Sequence, residues 1–147
     1  MRNIKLLFFN IFIVNFFGFI FSLISNPSKN FQNIIKPDFV PSPIVFIIVW
    51  IIIYSLLGVS FYLVEKNKRN VVLFLLNLIF NYLWVILFFN FKLYLLSFVW
   101  LLTLIGITII MIYYFYKSDK LAGIINIPYL FWLVFASILN LSIFYLN

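Results

Sequence analysis

Apolar residues run almost unbroken through five stretches of this chain: Ile4–Ile24, Pro43–Val64, Val71–Phe89, Leu93–Tyr116 and Ile124–Leu146. Nearly every charge falls in the connections between them. A helix rises ~1.5 Å per residue, so ~20 residues cover the ~30 Å hydrocarbon layer of a bilayer. A soluble domain of 147 residues has too small an interior to hide that much apolar surface. The pattern predicts an all-α fold, an integral membrane five-transmembrane-helix bundle forming one domain over residues 1–147. The first stretch, with Arg2 and Lys5 ahead of it, has the outline of a signal peptide. Its length, its Asn10 and Asn15, and the lack of a small-x-small cleavage site predict a retained helix instead.

Residues 25–42 form the longest connection and contain Pro27, Pro37 and Pro41. Proline fixes its own φ and disfavours helix in the residue before it, so this stretch is not a continuation of either neighbour. Its length suits a lid or binding loop. Pro43 fits the first turn of the second helix, where its missing N–H is not needed.

The polar residues inside the stretches recur at helical spacing. Phe46, Trp50, Tyr54 and Gly58 are four apart; Asn77, Asn81 and Trp84 follow at four and three; Pro128, Trp132, Ala136 and Asn140 repeat every four; Asn15, Gly18 and Ser22 share a side. Tryptophan favours bilayer interfaces, yet Trp84 is mid-segment and Trp50 and Trp132 lie about two turns inside. An amide in hydrocarbon must find a partner. Asn77 and Asn81 can do so as bonds between helices or as ligand contacts, and both readings stand. An aromatic cavity holding a few amides suits a flat, apolar, hydrogen-bonding ligand such as a tetrapyrrole or a sterol.

Composition narrows the chemistry. The chain is 67% hydrophobic and 9% charged, with ten bases against three acids. The bases lie singly or in threes at segment ends, which marks topology and headgroup anchoring rather than nucleic-acid binding. The side of the N-terminus carries Arg2, Lys5, Lys66, Lys68, Arg69, Lys117 and Lys120; the other side carries Lys29, Lys36 and Lys92. That asymmetry predicts a bacterial inner membrane protein with its N-terminus in the cytoplasm. There is no histidine and no cysteine, and Asp38, Glu65 and Asp119 all fall in loops or at membrane edges. Proton pumping through side chains, acid–base catalysis and zinc hydrolysis are disfavoured, and no metal or obligatory cofactor is expected.

These motifs resemble the TspO/MBR family, the tryptophan-rich sensory proteins and translocator proteins. The pattern K-P-x-W-x-P-P followed by V-W-x-x-L-Y-x-x-x-G is approached by Lys36 to Ser42, then Val49, Trp50, Tyr54 and Gly58. N-x-x-x-N-x-x-W with a following F-F appears as Asn77, Asn81, Trp84, Phe88 and Phe89. P-Y-x-x-W-x-x-F-A-x-x-L-N is complete from Pro128 and Tyr129 through Trp132, Phe135, Ala136 and Leu139 to Asn140. The resemblance implies a five-helix homodimer that binds porphyrins near the first loop, in tetrapyrrole sensing, sequestration or transport. It places Phe46, Trp50, Tyr54, Asn77, Asn81, Trp84, Pro128, Trp132 and Ala136 at the ligand, with Phe31, Lys36, Phe39 and Pro41 in the lid. Some members promote light-dependent porphyrin breakdown, which would give Trp50 and Trp132 a chemical role. A sterol- or lipid-binding scaffold is the remaining alternative. Phe39 stands where the family has tryptophan, Ser42 replaces a proline, and Asn30-Phe31 replaces an aromatic pair. No base follows Tyr145, so the cholesterol-consensus pattern is missing. With the usual haem ligands absent, metal-free porphyrin is the expected ligand, with Lys29 or Lys36 meeting its propionates.

Overall fold

In the computed structural model, residues 3–147 are described, the side chain of Ser28 excepted. Arg2, counted above for topology, lies outside the described residues. The chain forms helices α1 (Ile4–Ser25), α2 (Pro27–Asn30), α3 (Pro43–Val64), α4 (Lys68–Phe89), α5 (Tyr94–Ser118), α6 (Lys120–Ile124) and α7 (Ile127–Leu146). Five spans are long and apolar enough to cross a membrane: α1, α3, α4, α5, and α6 with α7.

Caps written into the sequence set the boundaries. Asn3 and Asn67 accept from the backbone two residues on, Lys5 N and Arg69 N, each at 3.0 Å. The helix expected from Val71 therefore begins at Lys68. Asp119 accepts from Leu121 N at 2.9 Å and Ala122 N at 3.3 Å, which starts the short α6. The last span is thus broken at Ile125–Asn126 instead of running unbroken from Ile124, with Pro128 in the first turn of α7. Asn26 adopts a left-handed φ of 41° and closes α1, and Pro27 opens the single-turn α2 within the first loop.

Helix α1 packs against α3 and α4, α4 against α5, and α5 against α7. Gly58 makes the first of these contacts close, because a Cβ there would lie 2.6 Å from Ile11 Cα. Gly106 plays no such part; a Cβ there meets nothing within 4 Å. The interior is built from Leu57, Phe74, Leu101, Leu104, Met111, Phe115 and Leu133. Outside, Phe8, Phe12, Ile48, Ile52, Val99, Ile109, Phe131 and Ile138 are exposed. An apolar core inside an apolar surface is the arrangement of a bundle solvated by lipid, since each helix satisfies its own backbone. This is an integral membrane protein.

Candidate functional site

A cavity of about 750 Å³ opens at the end of the bundle beneath the first loop. Phe46, Trp50 and Tyr54 of α3 wall one side; Trp84, Phe88 and Phe89 of α4 and Ala136 and Asn140 of α7 wall the other. Asn15, Gly18 and Ser22 supply the α1 wall, and Phe31, Gln32, Lys36 and Pro41 the roof. Trp50 is the hub of the aromatic set, with ring centroids 5.3 Å from Tyr54, 6.4 Å from Trp84 and 6.4 Å from Trp132. Beyond Trp84 the series continues to Phe88 at 5.6 Å and Phe89 at 6.5 Å. Separations of 4.5–7 Å are those of favourable edge and offset contacts, so these rings hold one another in place.

Polar side chains fix the wall from behind. Trp84 Nε1 donates to Asn140 Oδ1 at 3.1 Å, and Asn140 Nδ2 donates to Tyr94 O at 2.8 Å. One amide thereby orients a tryptophan and ties α7 to α4 and to the start of α5. Below the cavity, Tyr54 donates to Asn81 Oδ1 at 2.8 Å, and Asn81 Nδ2 to Tyr129 Oη at 3.0 Å. Tyr129 donates to Asn77 Oδ1 at 3.0 Å, Asn77 Nδ2 to Thr108 Oγ1 at 2.8 Å, and Thr108 to Leu104 O at 2.7 Å. This unbroken chain links α3, α4, α7 and α5.

The roof is held at two points. Asn147 and Ile35 exchange two bonds: Ile35 N donates to Asn147 Oδ1 at 2.9 Å, and Asn147 Nδ2 to Ile35 O at 3.0 Å. Ile34 is buried in the core, and Phe31 meets Phe89 edge-on at 5.9 Å. Lys36 Nζ lies 4.7 Å from the Phe31 ring centroid, a cation–π contact at the cavity mouth.

The residues singled out in the sequence divide. Phe46, Trp50, Tyr54, Trp84, Ala136, Phe31, Lys36 and Pro41 all line the cavity. Asn77 and Asn81 do not: both are fully buried, about one helical turn or more below Trp84, with their amides used between helices. Pro128 and Trp132 also lie outside it, in a shallow apolar groove with Val49, Ile52 and Phe131. The reason is helical drift: a spacing of four residues advances ~400°, so each step turns the stripe ~40° and Pro128 ends ~120° from Asn140. Trp132 backs the wall instead, edge-on to Phe46 at 5.5 Å and to Trp50, with its indole N–H buried and unpartnered among the described residues. Phe39 packs on Phe135 at 6.4 Å, outside the cavity, and Lys29 is not among the lining residues. Asn140, Phe88 and Phe89 also line the cavity. Asn140 shares a face with Ala136 and Phe88 one with Trp84, whereas Phe89 lies ~140° around α4 from Trp84 and spacing does not point to it. Asn15 and Gly18 likewise share one face of α1.

Fold and site together define a class: five-helix integral membrane proteins with a tryptophan-walled cavity under a long first loop. The family model described as TspO/MBR matches residues 9–146. The chain is 34% identical over 122 residues to the Tryptophan-rich protein TspO of Archaeoglobus fulgidus, across 80% of this chain and 79% of that one. It is 32% identical over 124 residues to the Tryptophan-rich protein TspO of Chlorobaculum tepidum, across 80% and 78%. The chain belongs to the TspO/MBR family.

Proposed function

We propose that this protein binds porphyrins, metal-free tetrapyrroles above all, in the cavity beneath the first loop, and serves their sensing, sequestration or transport. The observation that carries the reading is the cavity itself. Its volume of about 750 Å³ lies within the ~300–1,000 Å³ usual for small-ligand sites. Its walls are indole and phenyl faces, on which a macrocycle stacks. Lys36 at the mouth supplies a cation for a propionate, while Lys29 is set aside by its absence from the lining. In this reading the end bearing Lys66, Lys68, Arg69, Lys117 and Lys120 faces the cytoplasm and the roofed end faces away. A homodimer belongs to the same reading.

Tryptophan-fluorescence titration with protoporphyrin in the dark tests it. Saturable quenching at micromolar ligand is expected, weakened at least tenfold in Ala136→Leu, which adds bulk to the cavity wall. Gly106→Leu, on the outer face, serves as the control and leaves quenching unchanged. Quenching that never saturates, or is equal in the wild type and Ala136→Leu, refutes the proposal and leaves nonspecific partitioning. A second reading, light-dependent porphyrin breakdown, draws on Trp50 lining the cavity with Trp132 at 6.4 Å behind it. It requires product that forms in the light and not in the dark, and that falls in Trp50→Phe.

A further inference from the structure

The polarity of the buried hydrogen-bond chain is fixed from its far end. Thr108 gives its single hydrogen to the helix carbonyl of Leu104, so toward Asn77 it only accepts. Asn77 must then turn Oδ1 to Tyr129, and Tyr129 must donate to it. Tyr129 accepts from Asn81 Nδ2, which leaves Asn81 Oδ1 facing Tyr54. Tyr54 therefore commits its hydrogen to the interior. Although it forms part of the cavity wall, it has no proton to offer a ligand.

Asn15 is constrained in the same way. Ser55 Oγ donates to Ile51 O at 2.7 Å, so it accepts from Asn15 Nδ2 at 3.2 Å. The same nitrogen donates to Ile11 O at 3.0 Å, and both its hydrogens are used. Turning the amide over would set its oxygen against two acceptors. Asn15 Oδ1 is thus the free face of a residue that lines the cavity, and it has no donor among the described residues. One turn away, Gly18 lets the Tyr54 ring pack directly on α1, so Asn15 and Tyr54 close the same end. That end lies ten residues, ~15 Å, down α1 from Ser25, opposite Lys36 in the roof.

We infer that Asn15 Oδ1 is a specificity acceptor, selecting tetrapyrroles that carry an O–H or N–H donor on the edge opposite their carboxylates. The inference rests on the porphyrin reading above. With the carboxylates at Lys36, the opposite edge reaches the end where Tyr54 withholds its hydrogen and Asn15 presents only oxygen. A ligand with an alkyl or vinyl group there dries that oxygen without pairing it, and sites built around a hydrogen bond discriminate strongly against such analogues.

The test compares hematoporphyrin with mesoporphyrin, which replaces its two hydroxyethyl groups by ethyl, in the wild type and in Asn15→Leu. Taking the ratio of the two affinities in each protein cancels micelle partitioning. The expected ratio favours hematoporphyrin at least tenfold more in the wild type than in the variant. Asn15→Ala replaces Asn15→Leu if the latter fails to fold. In unchanged protein, hematoporphyrin is also expected to bind at least tenfold more tightly than its dimethyl ether, after correction for measured partitioning, since the ether keeps the oxygens and loses the hydrogens. Equal affinities in the wild type, or a preference that survives in a folded variant, overturn the inference, return Asn15 to tying α1 to α3, and leave the porphyrin reading intact. Failure of all three porphyrins to saturate overturns the porphyrin reading and this inference with it.

Discussion

Replacing Tyr129 by phenylalanine removes one oxygen from the middle of the buried chain and leaves every ring in place. Two bonds are lost, Asn81 Nδ2 to Tyr129 at 3.0 Å and Tyr129 to Asn77 Oδ1 at 3.0 Å. Both amides are fully buried, so no lipid or water reaches them. Interhelical bonds in membranes average ~0.6 kcal/mol, which sets a floor near ~1 kcal/mol for two. Orphaning a buried polar group costs ~1–3 kcal/mol in aqueous series, which would put two at ~2–6 kcal/mol. Asn77 and Asn81 lie one turn apart on α4 and can partly pair with each other, so the expected loss is ~2–3 kcal/mol. Tyr82→Phe is the internal control. It removes one bond to Val14 O at 2.8 Å, from a carbonyl inside α1 that keeps its helical partner, and should cost below ~1 kcal/mol. Unfolding of both variants in mixed micelles, followed by helical circular dichroism, measures the difference. Equal losses, or a greater loss in Tyr82→Phe, would refute the argument that the chain acts as a connected unit.

Two glycines should respond in opposite directions. Gly58→Ala places a methyl against the α1 backbone at Ile11 and is expected to lower stability by ~2 kcal/mol or more, while Gly106→Ala meets nothing and should gain up to ~1 kcal/mol from helix propensity. Thermal melting in detergent decides, and a tolerated Gly58→Ala would show that the α1–α3 approach is not tight. Asn147→Ala removes both bonds to Ile35 while leaving the cavity walls alone. Stopped-flow dissociation of protoporphyrin should quicken severalfold with helicity unchanged; an unaltered rate would mean that Ile34 and Phe31 hold the roof by themselves.

The number and place of the membrane helices were legible because apolar length is a one-dimensional property. Their starts were less so: the caps at Asn67 and Asp119 compete with a hydropathy pattern that places the edges elsewhere, at Val71 and Ile124. Within the site, residues near the middle of their helix stripes came out together, as with Phe46, Trp50 and Tyr54 on α3. Spacing does not encode depth, so Asn77 and Asn81 share a face with Trp84 yet sit below the cavity. Nor does it correct for drift, which carried Pro128 and Trp132 around α7 into the groove. The hold of Asn147 on Ile35 spans 112 residues of sequence, and no local pattern announces it.

Amides in this bundle take both of the roles open to them, and the hydroxyl partners decide which. A helix hydroxyl that donates back to its own turn becomes an acceptor toward its neighbour, as Thr108 does for Asn77 and Ser55 does for Asn15. At Asn77 the oxygen left over meets Tyr129, so the amide is consumed inside the protein. At Asn15 the nitrogen is used by Ile11 O and Ser55 Oγ, and the oxygen is left over on a residue that lines the cavity, where it is the inferred acceptor for the ligand. Replacing Thr108 by valine should therefore disturb more than one bond. Asn77 would lose the partner that sets its orientation, and Tyr129 and Asn81 would lose the constraint that aims the Tyr54 hydrogen inward. Tyr54 would then be able to turn its hydrogen toward a ligand oxygen, and the preference for hematoporphyrin over its dimethyl ether, whose oxygens can accept, should narrow in Thr108→Val although Thr108 is not among the residues lining the cavity. A preference unchanged in a folded Thr108→Val would confine the selectivity to Asn15 and detach it from the buried chain.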